Sequence, residues 1–257
     1  MAMRDDARRI GVLTFNTLFR GRVRARMDAL ARLVDESDYD IVCLQEVVSP
    51  PVLARFRRAT ASFPFMARAG GFPIVRGGLV TLSRWPIART HFQPYALARP
   101  VRPEWLLNKG ALFTRIRLPG GCLTVVNTHL SANMDMDWSP SNAYTKVEQS
   151  ELEQLASAIK RIDPAEPLIA MGDFNVPRDS RYLADFAAAA GLRDALAGST
   201  EPTFRPEYAD IGAIDQFLHR PGLEAEPRLV FTDEIRLPDG TTAPLSDHFG
   251  IAATVTL

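Results

Sequence analysis

Apolar residues along this chain recur in two patterns, as short continuous runs and as longer segments with helical spacing. Helical spacing occurs over residues 23–34 and 144–159, and a third helix is predicted at 180–190, where Asp179 or Ser180 can cap the start and Gly191 the end. The short continuous runs are typical of buried strands. Strands are therefore predicted at residues 10–15, 41–44, 79–82, 111–118, 123–127, 168–171, 214–218 and 249–256.

The order of these elements favours an α/β fold built from two packed sheets. Strands outnumber helices, and helices separate only some of the strands, which disfavours a repeated βαβ arrangement. Two sheets packed face to face, with amphipathic helices on their outer sides, would bury both kinds of pattern. No repeat or long linker divides the chain, so residues 1–257 are predicted to form one domain, with a flexible start at 1–9.

Composition and charge narrow the classes of protein that fit. Hydrophobic residues make up 46% of the 257 residues and charged residues 23%, an ordinary globular balance. Thirty basic residues balance thirty acidic ones, which disfavours a dedicated nucleic-acid-binding protein. Two cysteines, Cys43 and Cys122, are too few for a disulfide framework. The start lacks the apolar region of a signal peptide, and no stretch is long enough to cross a membrane, so we expect a cytoplasmic protein without a transmembrane segment.

Short polar motifs follow several of the apolar runs: LQE ending at Glu46, GDFN at 172–175 and SDH at 246–248. Ionisable groups at the ends of buried strands lose hydration, and one divalent cation can serve several carboxylates at once. Asn16 and Glu46 each follow a predicted strand and would present an amide oxygen and a carboxylate, hard ligands suited to Mg²⁺. Taken alone, each also has a structural interpretation, as a turn or a solvated strand end. Together the motifs predict metal-assisted phosphoester hydrolysis.

Asp173 and Asn175, in the second motif, are two residues apart. In an extended backbone their side chains would point to the same side and could address one phosphate or one water. Gly172 would permit the tight backbone that brings them close. The alternative is an Asx-turn that closes the preceding strand.

Histidines supply the remaining candidates. His248 adjoins Asp247 in the third motif, and its charge changes near neutral pH, which suits a general acid or base. Asp215 lies inside an apolar run and would need a partner. We expect that partner to be His248, held in one tautomer by the carboxylate. His129 ends another predicted strand, where a lone histidine is more often structural than catalytic.

The motifs in this order resemble those of the endonuclease/exonuclease/phosphatase superfamily. They are FN at 15–16, LQE at 44–46, SRWPI at 83–87, NTHL at 127–130, GDFN, ID at 214–215 and SDH. Within it, the chain is similar to the neutral sphingomyelinase-like phosphodiesterases in the stretches RMDALARLVDESDYDIVCLQEV, EWLLNKGALF and NTHLSAN. The resemblance implies a four-layer α/β/β/α sandwich of two packed mixed sheets with outer helices.

The resemblance also implies a role for each candidate. Asp173 would orient or deprotonate the attacking water, and Asn175 would hold that water and the phosphate. His129 would bind a phosphoryl oxygen, and His248, oriented by Asp215, would stabilise the transition state or protonate the leaving oxygen. The ligands of Mg²⁺, or of Mn²⁺ as the alternative, would be Asn16 and Glu46, with Asp247 near the metal.

Substrate binding is assigned to Lys109 and Trp138. Trp138 belongs to the loop 131–142, which departs from the family pattern and either shapes the substrate pocket or folds back on the sandwich. Gln216 is a second departure, at a position where the branch usually has an aromatic residue.

The sequence therefore predicts a Mg²⁺-dependent phosphodiesterase that acts on a small-molecule or lipid-like phosphoester. The alternatives are a nuclease of the same superfamily and, less favoured, a non-catalytic binding module. A nuclease would need one continuous basic face beside the metal. The residues that could form it are Arg99, Arg102, Lys109, Arg205 and Arg220.

Overall fold

The structure is a computed structural model that describes residues 9–71, 73–96 and 107–257. The strands are β1 Arg9–Asn16, β2 Ile41–Gln45, β3 Phe65–Ala69, β4 Arg76–Ser83, β5 Ile87–Pro94, β6 Gly110–Leu118, β7 Gly121–His129, β8 Leu168–Asp173, β9 Arg193–Asp194, β10 Asp215–His219, β11 Glu224–Val230, β12 Ile235–Arg236, β13 Thr242–Ala243 and β14 Gly250–Thr256. The helices are α1 Val23–Asp35, α2 Pro50–Ala59, α3 Ala143–Lys160 and α4 Arg181–Ala190. The predicted flexible start lies outside the described residues except for Arg9, which begins β1.

Twelve of these strands form two six-stranded sheets. The first sheet has the order β11-β14-β1-β2-β4-β3 and the second the order β5-β6-β7-β8-β10-β9. Each contains one parallel pair, β1 with β2 and β7 with β8, among antiparallel neighbours. Both sheets are therefore mixed, as the sequence predicted.

Three layers of apolar contacts hold the sandwich together. Between the sheets, alternate residues of the facing strands meet, among them Val12, Ile41, Val125, Ile169 and Phe217. The residues between them in each strand point to the outer face of their sheet, where helices cover them. The helices α1 and α2 pack on the first sheet, and α3 and α4 on the second. Because side chains alternate between the two faces of a strand, each buried strand contributes to an inner and an outer core. The predicted α/β/β/α layering is confirmed.

The predicted helices and strands all occur in the structure. Ser180 begins α4, where its side chain accepts a hydrogen bond from the Tyr182 amide, and Gly191 ends it in the left-handed conformation at φ 67°. Cys43 is buried and Cys122 is half-buried, and neither forms a disulfide. Within the described residues, no helix combines the length and apolar character that crossing a membrane requires.

Candidate active site

Four residues form a row across the middle strands of the second sheet. Asp215 on β10 lies directly opposite Asp173 on β8, Asp173 is in register with His129 on β7, and His129 pairs with Gly110 on β6. Lys109 immediately precedes Gly110. Since the row lies at the carboxyl ends of β7 and β8 and at the starts of β6 and β10, it marks one end of the sandwich. Two carboxylates directly opposite each other repel, so this row needs cationic partners.

The first sheet faces this row at the same end of the sandwich. Asn16, the last residue of β1, donates from Nδ2 to the Asp173 Oδ2 atom over 2.8 Å. Residues at odd positions of β8 face the other sheet, as Ile169 and Met171 do in the core between the sheets. Asp173 continues this alternation, so the strand itself directs its carboxylate into the space between the sheets. The site therefore lies where the two sheets open.

Gly172 permits the close approach of β8 to β7. Its φ is 141°, and a Cβ atom added there would lie 2.0 Å from the Thr128 carbonyl oxygen. The backbone is not extended beyond this point, and here the sequence-based expectation was wrong. Asn175 has φ 52°, and its amide donates to Asp173 Oδ1 over 3.0 Å, which is the Asx-turn considered as the alternative. The Asn175 side chain instead donates from Nδ2 to the Leu130 carbonyl over 2.9 Å.

Asp215 and His248 form the pair that the sequence predicted. The His248 Nδ1 atom lies 2.9 Å from Asp215 Oδ2, and its Nε2 atom lies 3.8 Å from Asp173 Oδ2. Burial opposes the charged imidazolium, but the carboxylates of Asp215 and Asp173 outweigh it and raise the pKa of His248 to about 10. Burial and the nearby Asp173 carboxylate raise the pKa of Asp215, which the His248 cation only partly opposes. The two groups titrate as a coupled pair.

Asp173 is the most heavily contacted acid of the site. Burial alone would raise the pKa of its carboxyl, but the charges of His129, His248 and Lys109 together hold that pKa well below its usual range. The His129 Nε2 atom lies 3.2 Å from Asp173 Oδ2 and 2.9 Å from the Lys109 ammonium. The ammonium also donates to the Leu130 carbonyl over 2.8 Å. Asp173 therefore stays ionised within a ring of cationic and amide groups.

The predicted metal ligands lie beside this cluster. Glu46 follows β2 at φ 62°, and Gly78 makes room for it, since a Cβ atom at Gly78 would meet the Glu46 Cα atom at 3.1 Å. Glu46 Oε2 accepts from the Phe19 amide over 2.9 Å, and Asp247 Oδ1 accepts from the Ser246 hydroxyl over 3.2 Å. Among the described residues, the second oxygen of each carboxylate has no hydrogen-bond partner.

This donor set fits a hard divalent cation. The Asn16 Oδ1 atom accepts one hydrogen bond, from the Leu18 amide over 3.0 Å, and keeps a second lone pair. Two carboxylates and one amide oxygen, with room for water at the half-exposed Glu46, suit Mg²⁺ better than softer metals. Another group, Asp173 with Asp215 and His248, brings its ligand atoms within 4.8 Å of one another. We favour the set of Asn16, Glu46 and Asp247, because in the other group His248 and Asp215 are already hydrogen-bonded to each other.

The loop 131–142 contacts the site through Trp138. The indole Nε1 atom donates to the Asn175 carbonyl over 3.2 Å, so this half-buried side chain is anchored on the GDFN turn. Met134 and Met136 are 60% and 56% exposed. The loop therefore neither folds back completely nor stands apart from the site: its tryptophan is fixed and its methionines face solvent.

The basic face that a nuclease would need is not formed by the described candidates. Arg205 donates to the Phe231 carbonyl and pairs with Glu207, and Arg220 donates to carbonyls that follow α3. Lys109 is buried beside the row formed by Asp215, Asp173, His129 and Gly110. The other candidates, Arg99 and Arg102, lie outside the described residues.

Buried amides that the sequence analysis left unassigned hold the site together. The Gln45 Nε2 atom donates to Asn127 Oδ1 over 2.7 Å, and the Asn127 amide donates to the Leu44 and Val80 carbonyls, so this pair joins the two sheets. Gln216 donates to the Val176 carbonyl over 2.9 Å and so ties the GDFN turn to β10. Gln45 and Asn127 lie inside the motifs LQE and NTHL. Their sequence signal was a polar residue in an apolar strand, close to a candidate site residue.

Glu151 on α3 supports the segment that follows His129. Its carboxylate accepts from the Ser131 amide over 2.7 Å and from the Ser131 hydroxyl over 2.6 Å. In the sequence α3 shows only an apolar face, because a buried acid on a helix becomes visible only once its partner is placed beside it.

Comparison with known proteins agrees with this geometry. The model of the endonuclease/exonuclease/phosphatase family matches residues 13–248. Sphingomyelinase C of Bacillus cereus is 26% identical over 209 residues, 70% of this chain and 62% of that protein. The inositol phosphosphingolipids phospholipase C of Schizosaccharomyces pombe is 27% identical over 182 residues, 67% of this chain and 42% of that protein. The chain thus spans less than two thirds of the length of these relatives.

Solved structures share the fold across almost the whole chain. Sphingomyelinase C from Streptomyces griseocarneus has a TM-score of 0.73 at 21% identity, covering 96% of this chain and 99% of that one. A Staphylococcus aureus beta toxin with bound magnesium ions has 0.76 at 16%, covering 95% and 98%. D. rerio TDP2 complexed with a single-strand DNA product has 0.77 at 14%, covering 97% and 99%. At these identities the likeness shows the fold alone. Because the family model matches most of the sequence, this chain belongs to the endonuclease/exonuclease/phosphatase family.

Proposed function

We propose that this protein is a Mg²⁺-dependent phosphodiesterase that hydrolyses a small-molecule or lipid-like phosphoester by attack of water. The observation that carries the proposal is the position of Asp173. Its Oδ2 atom faces Asn16 at the end of β1, His129 at the end of β7 and His248 just before β14, so one ionised oxygen lies at the centre of the site. This arrangement resembles a set of groups positioned for electrostatic catalysis.

Asp173 orients the attacking water. Because the pKa of its carboxyl is held low, it remains ionised at neutral pH and accepts a hydrogen bond from water more readily than it removes a proton outright. Its Oδ1 atom is fixed by the Asn175 amide, which keeps the carboxylate plane from rotating. Among the described residues, no donor is hydrogen-bonded to the side-chain oxygen of Asn175, so that oxygen can hold the same water.

His248 supplies the proton that the leaving oxygen needs. The carboxylates of Asp215 and Asp173 raise the pKa of His248 to about 10, so the imidazole is charged at neutral pH. Asp215 holds Nδ1 over 2.9 Å, which leaves Nε2 as the nitrogen that can donate. After the phosphorus–oxygen bond breaks, the proton on Nε2 would pass to the alkoxide.

Lys109 and His129 would bind a phosphoryl oxygen. A single Nε2 atom of His129 faces both the Lys109 ammonium and the Asp173 carboxylate, and it cannot accept from one and donate to the other at once. An incoming phosphoryl oxygen could accept a hydrogen bond from Lys109 or His129 and so relieve this conflict. The ammonium and the imidazole would then hold negative charge as it develops on the phosphate.

Asn16, Glu46 and Asp247 would hold the cation. Their oxygen ligands fit Mg²⁺, and the beta toxin neighbour carries magnesium in its structure, whereas Mn²⁺ is the alternative for the same ligands. When bound there, the ion supplies positive charge that neutralises phosphoryl oxygens.

A lipid-like substrate is favoured by the surface around the site. Four large apolar side chains are exposed among the described residues: Phe19, Met134, Met136 and Tyr208. Each lies on a loop that contacts the site. Phe19 donates its amide to Glu46, the methionine loop is anchored on Asn175, and the segment with Tyr208 begins at Arg205, whose amide donates to the Asp247 carbonyl. The relatives named for sphingolipid hydrolysis are consistent with such a substrate.

Nuclease activity is the second candidate, and the fold shared with a DNA-bound TDP2 structure supports it. It is less favoured, because Arg205 and Arg220 are occupied by structural contacts and the formal net charge is zero. Phosphate contacts from basic residues provide most of the affinity of nucleic-acid-binding proteins.

A metal-dependent screen of the purified protein tests the proposal. We would measure hydrolysis of a phosphomonoester, an aryl phosphodiester, sphingomyelin in mixed micelles and abasic DNA, each with Mg²⁺, with Mn²⁺ and with a chelator. We expect Mg²⁺-dependent release of product from the phosphodiester and from the lipid. Hydrolysis that is unaffected by the chelator would contradict the metal assignment.

Glu46→Gln tests the metal site within the same screen. The amide keeps an acceptor for the Phe19 amide but removes the charge, so activity should fall by a factor on the order of 10³ or more while thermal unfolding changes little. Glu224→Gln, at an exposed position on the edge strand β11, is the matched control and should retain full activity. Strong residual Mg²⁺-dependent turnover in a well-folded Glu46→Gln protein would exclude the assigned role.

A further inference from the structure

Arg26 is a buried cation that the proposed reaction does not use. It lies in α1 and is 5% exposed. Its Nε atom donates to the Gly21 carbonyl over 3.0 Å. Its two terminal nitrogens donate to carbonyls at 2.5 to 2.8 Å, and these belong to Thr17, Leu18, Arg20, Gly21 and Leu245. All five N–H donors of the guanidinium are therefore taken by backbone oxygens.

Most of these carbonyls belong to the loop 17–21 between β1 and α1. The amides of that loop orient two of the candidate metal ligands: the Leu18 amide donates to Asn16 Oδ1 over 3.0 Å, and the Phe19 amide donates to Glu46 Oε2 over 2.9 Å. Thus Arg26 holds the carbonyls of the loop, while the amides of the same loop hold Asn16 and Glu46. Leu18 has φ 55°, a conformation that a non-glycine residue adopts only when its surroundings hold it there.

The remaining hydrogen bond of Arg26 goes to the segment that carries the third candidate ligand, Asp247. Leu245, whose carbonyl accepts from Arg26 Nη1 over 2.7 Å, lies two residues before Asp247. Arg26 therefore connects the β1–α1 loop to the segment before β14, and these two segments are far apart in sequence. The Arg26 charge also lies close enough to Glu46 and Asp247 to interact with both.

The guanidinium of Arg26 is bound by carbonyl oxygens and not by carboxylates, which matters for cation binding. A buried guanidinium near two carboxylates would ordinarily form a bidentate ion pair with one of them. Here carbonyls saturate the donors, so the free oxygens of Glu46 and Asp247 stay available to a cation. The guanidinium stabilises the arrangement of the carboxylates without occupying them.

We infer that Arg26 is a positioning residue that preorganises the divalent-cation site by clamping the loop 17–21 to the segment that carries Asp247. This inference rests on the proposed function, since it concerns the cation that the function requires. The Arg26 side chain makes no hydrogen bond to the proposed metal ligands, so it would act through the loop and not on the cation directly.

Arg26→Lys tests the inference, because lysine keeps the charge but can serve at most three carbonyls. Arg24→Lys, at an exposed position on the same helix, is the matched control. Mg²⁺ binding is measured by isothermal titration calorimetry, independently of activity. We expect the dissociation constant of the Arg26→Lys protein to rise by about 10- to 100-fold, as for other residues that orient metal ligands. Turnover should recover substantially at saturating Mg²⁺, which a general loss of structure would not allow.

The outcomes separate the two proposals. Unchanged Mg²⁺ affinity in a folded Arg26→Lys protein, with normal binding by the unsubstituted protein, would overturn the positioning role alone. Absence of Mg²⁺ binding by the unsubstituted protein would overturn the proposed function and this inference with it.

Hydrogen exchange of the unsubstituted protein gives a second test if Arg26→Lys fails to fold. Because Arg26 is expected to fix the loop before any cation binds, the amides of Leu18 and Phe19 should already exchange slowly without Mg²⁺. Rapid exchange of both amides without Mg²⁺, with protection only after its addition, would mean that the cation orders the loop. That result would overturn the role of Arg26.

Discussion

Asp173 divides its two carboxylate oxygens between the backbone and the site. Oδ1 closes the turn to Asn175, and Oδ2 faces Asn16, His129 and His248. Burial opposes ionisation of this carboxyl, but His129 and His248, which help to fix its orientation, also lower its pKa, so structure and charge state are set together. Substitutions of its neighbours should therefore alter the chemistry more than they alter folding.

Asp215→Asn should change the pH dependence of the reaction. Asp215 and Asp173 raise the pKa of His248 to about 10, so the acid form is present at neutral pH and is lost as pH rises through that pKa. Asparagine removes one of the two charges, so the pKa of His248 should fall and the alkaline limb of kcat/KM should move to lower pH. The profile is measured at saturating Mg²⁺, with Asp185→Asn on α4 as the control. A profile that does not move would remove the pair from the mechanism.

Gly172→Ala should destabilise the protein strongly. The added Cβ atom would lie 2.0 Å from the Thr128 carbonyl oxygen, and the strands β7 and β8 would have to separate. We expect a loss of more than about 2 kcal/mol in the free energy of unfolding, measured by urea denaturation, together with lower activity.

Gly191→Ala provides the control for that experiment. Gly191 also has a positive φ, but nothing lies within 4 Å of an added Cβ atom. Its substitution should cost only about 1 kcal/mol, the backbone term alone. Equal losses in the two variants would show that the close approach to Thr128 is unimportant.

At the scale of elements, strand ends and the loops after them carry the site. β1, β2, β7 and β8 deliver Asn16, Glu46, His129 and Asp173, and their parallel pairing brings the carboxyl ends of neighbouring strands to the same end of the sandwich. Rigid strands fix these groups, while loops such as 131–142 vary the surroundings.

Elements that the sequence analysis did not identify are less regular. The edge strands β5 and β11 contain no fully buried residue and mix charged residues with proline, so their apolar signal is weak. The helix α2 begins with Pro50 and Pro51, which resemble a turn in sequence although proline is well suited to the first turn of a helix.

Met134→Ser combined with Met136→Asn should separate substrate classes. Asparagine tolerates the positive φ of 52° at position 136, and the Trp138 contact with Asn175 remains, so the loop should keep its shape. If these methionines contact a lipid-like substrate, kcat/KM for mixed micelles should fall about tenfold or more, because two large apolar contacts are lost. Turnover of a minimal aryl phosphodiester should not change. Equal loss for both substrates would indicate damage to the catalytic centre instead.

At the scale of the whole molecule, one group of arginines lines a cleft away from the site. A cleft of about 690 Å³ is lined by Arg89, Arg115, Arg117 and Arg161. Arg115 lies five residues along β6 from Gly110, which pairs with His129, so this cleft is about 17 Å from the row of Asp215, Asp173, His129 and Gly110 at the usual rise per residue. A single basic groove through the site is not formed by these residues.

Salt should therefore affect the proposed activity less than it affects a nuclease. The affinity of a duplex-binding protein falls with a log–log slope of about −0.9 for each phosphate contact. We expect weak DNA binding without sequence preference, and hydrolysis of the small or lipid-like substrate that changes little between about 50 and 200 mM salt. Binding is measured by fluorescence anisotropy and turnover by product release. Efficient, steeply salt-sensitive cleavage of duplex or abasic DNA would favour the nuclease.

The sequence by itself determined the layers of this fold and the identity of the candidate residues. Apolar runs marked the buried strands, helical spacing marked α1, α3 and α4, and polar motifs at strand ends marked the residues that now lie together. These signals are local, since the periodicity of side chains along one strand or helix is written in adjacent residues. The family resemblance supplied the four-layer arrangement and the role of each candidate.

Only the tertiary structure decided how those residues are connected. The Asx-turn at Asn175, the row from Asp215 to Gly110 and the clamp formed by Arg26 join segments that are distant in sequence. Strand register and the partners of a buried polar group depend on which segments pack together, and no local pattern specifies them. Arg26 resembles an ordinary helix-surface arginine in sequence, and it becomes a buried link between two loops because carbonyl oxygens from both surround it in the fold.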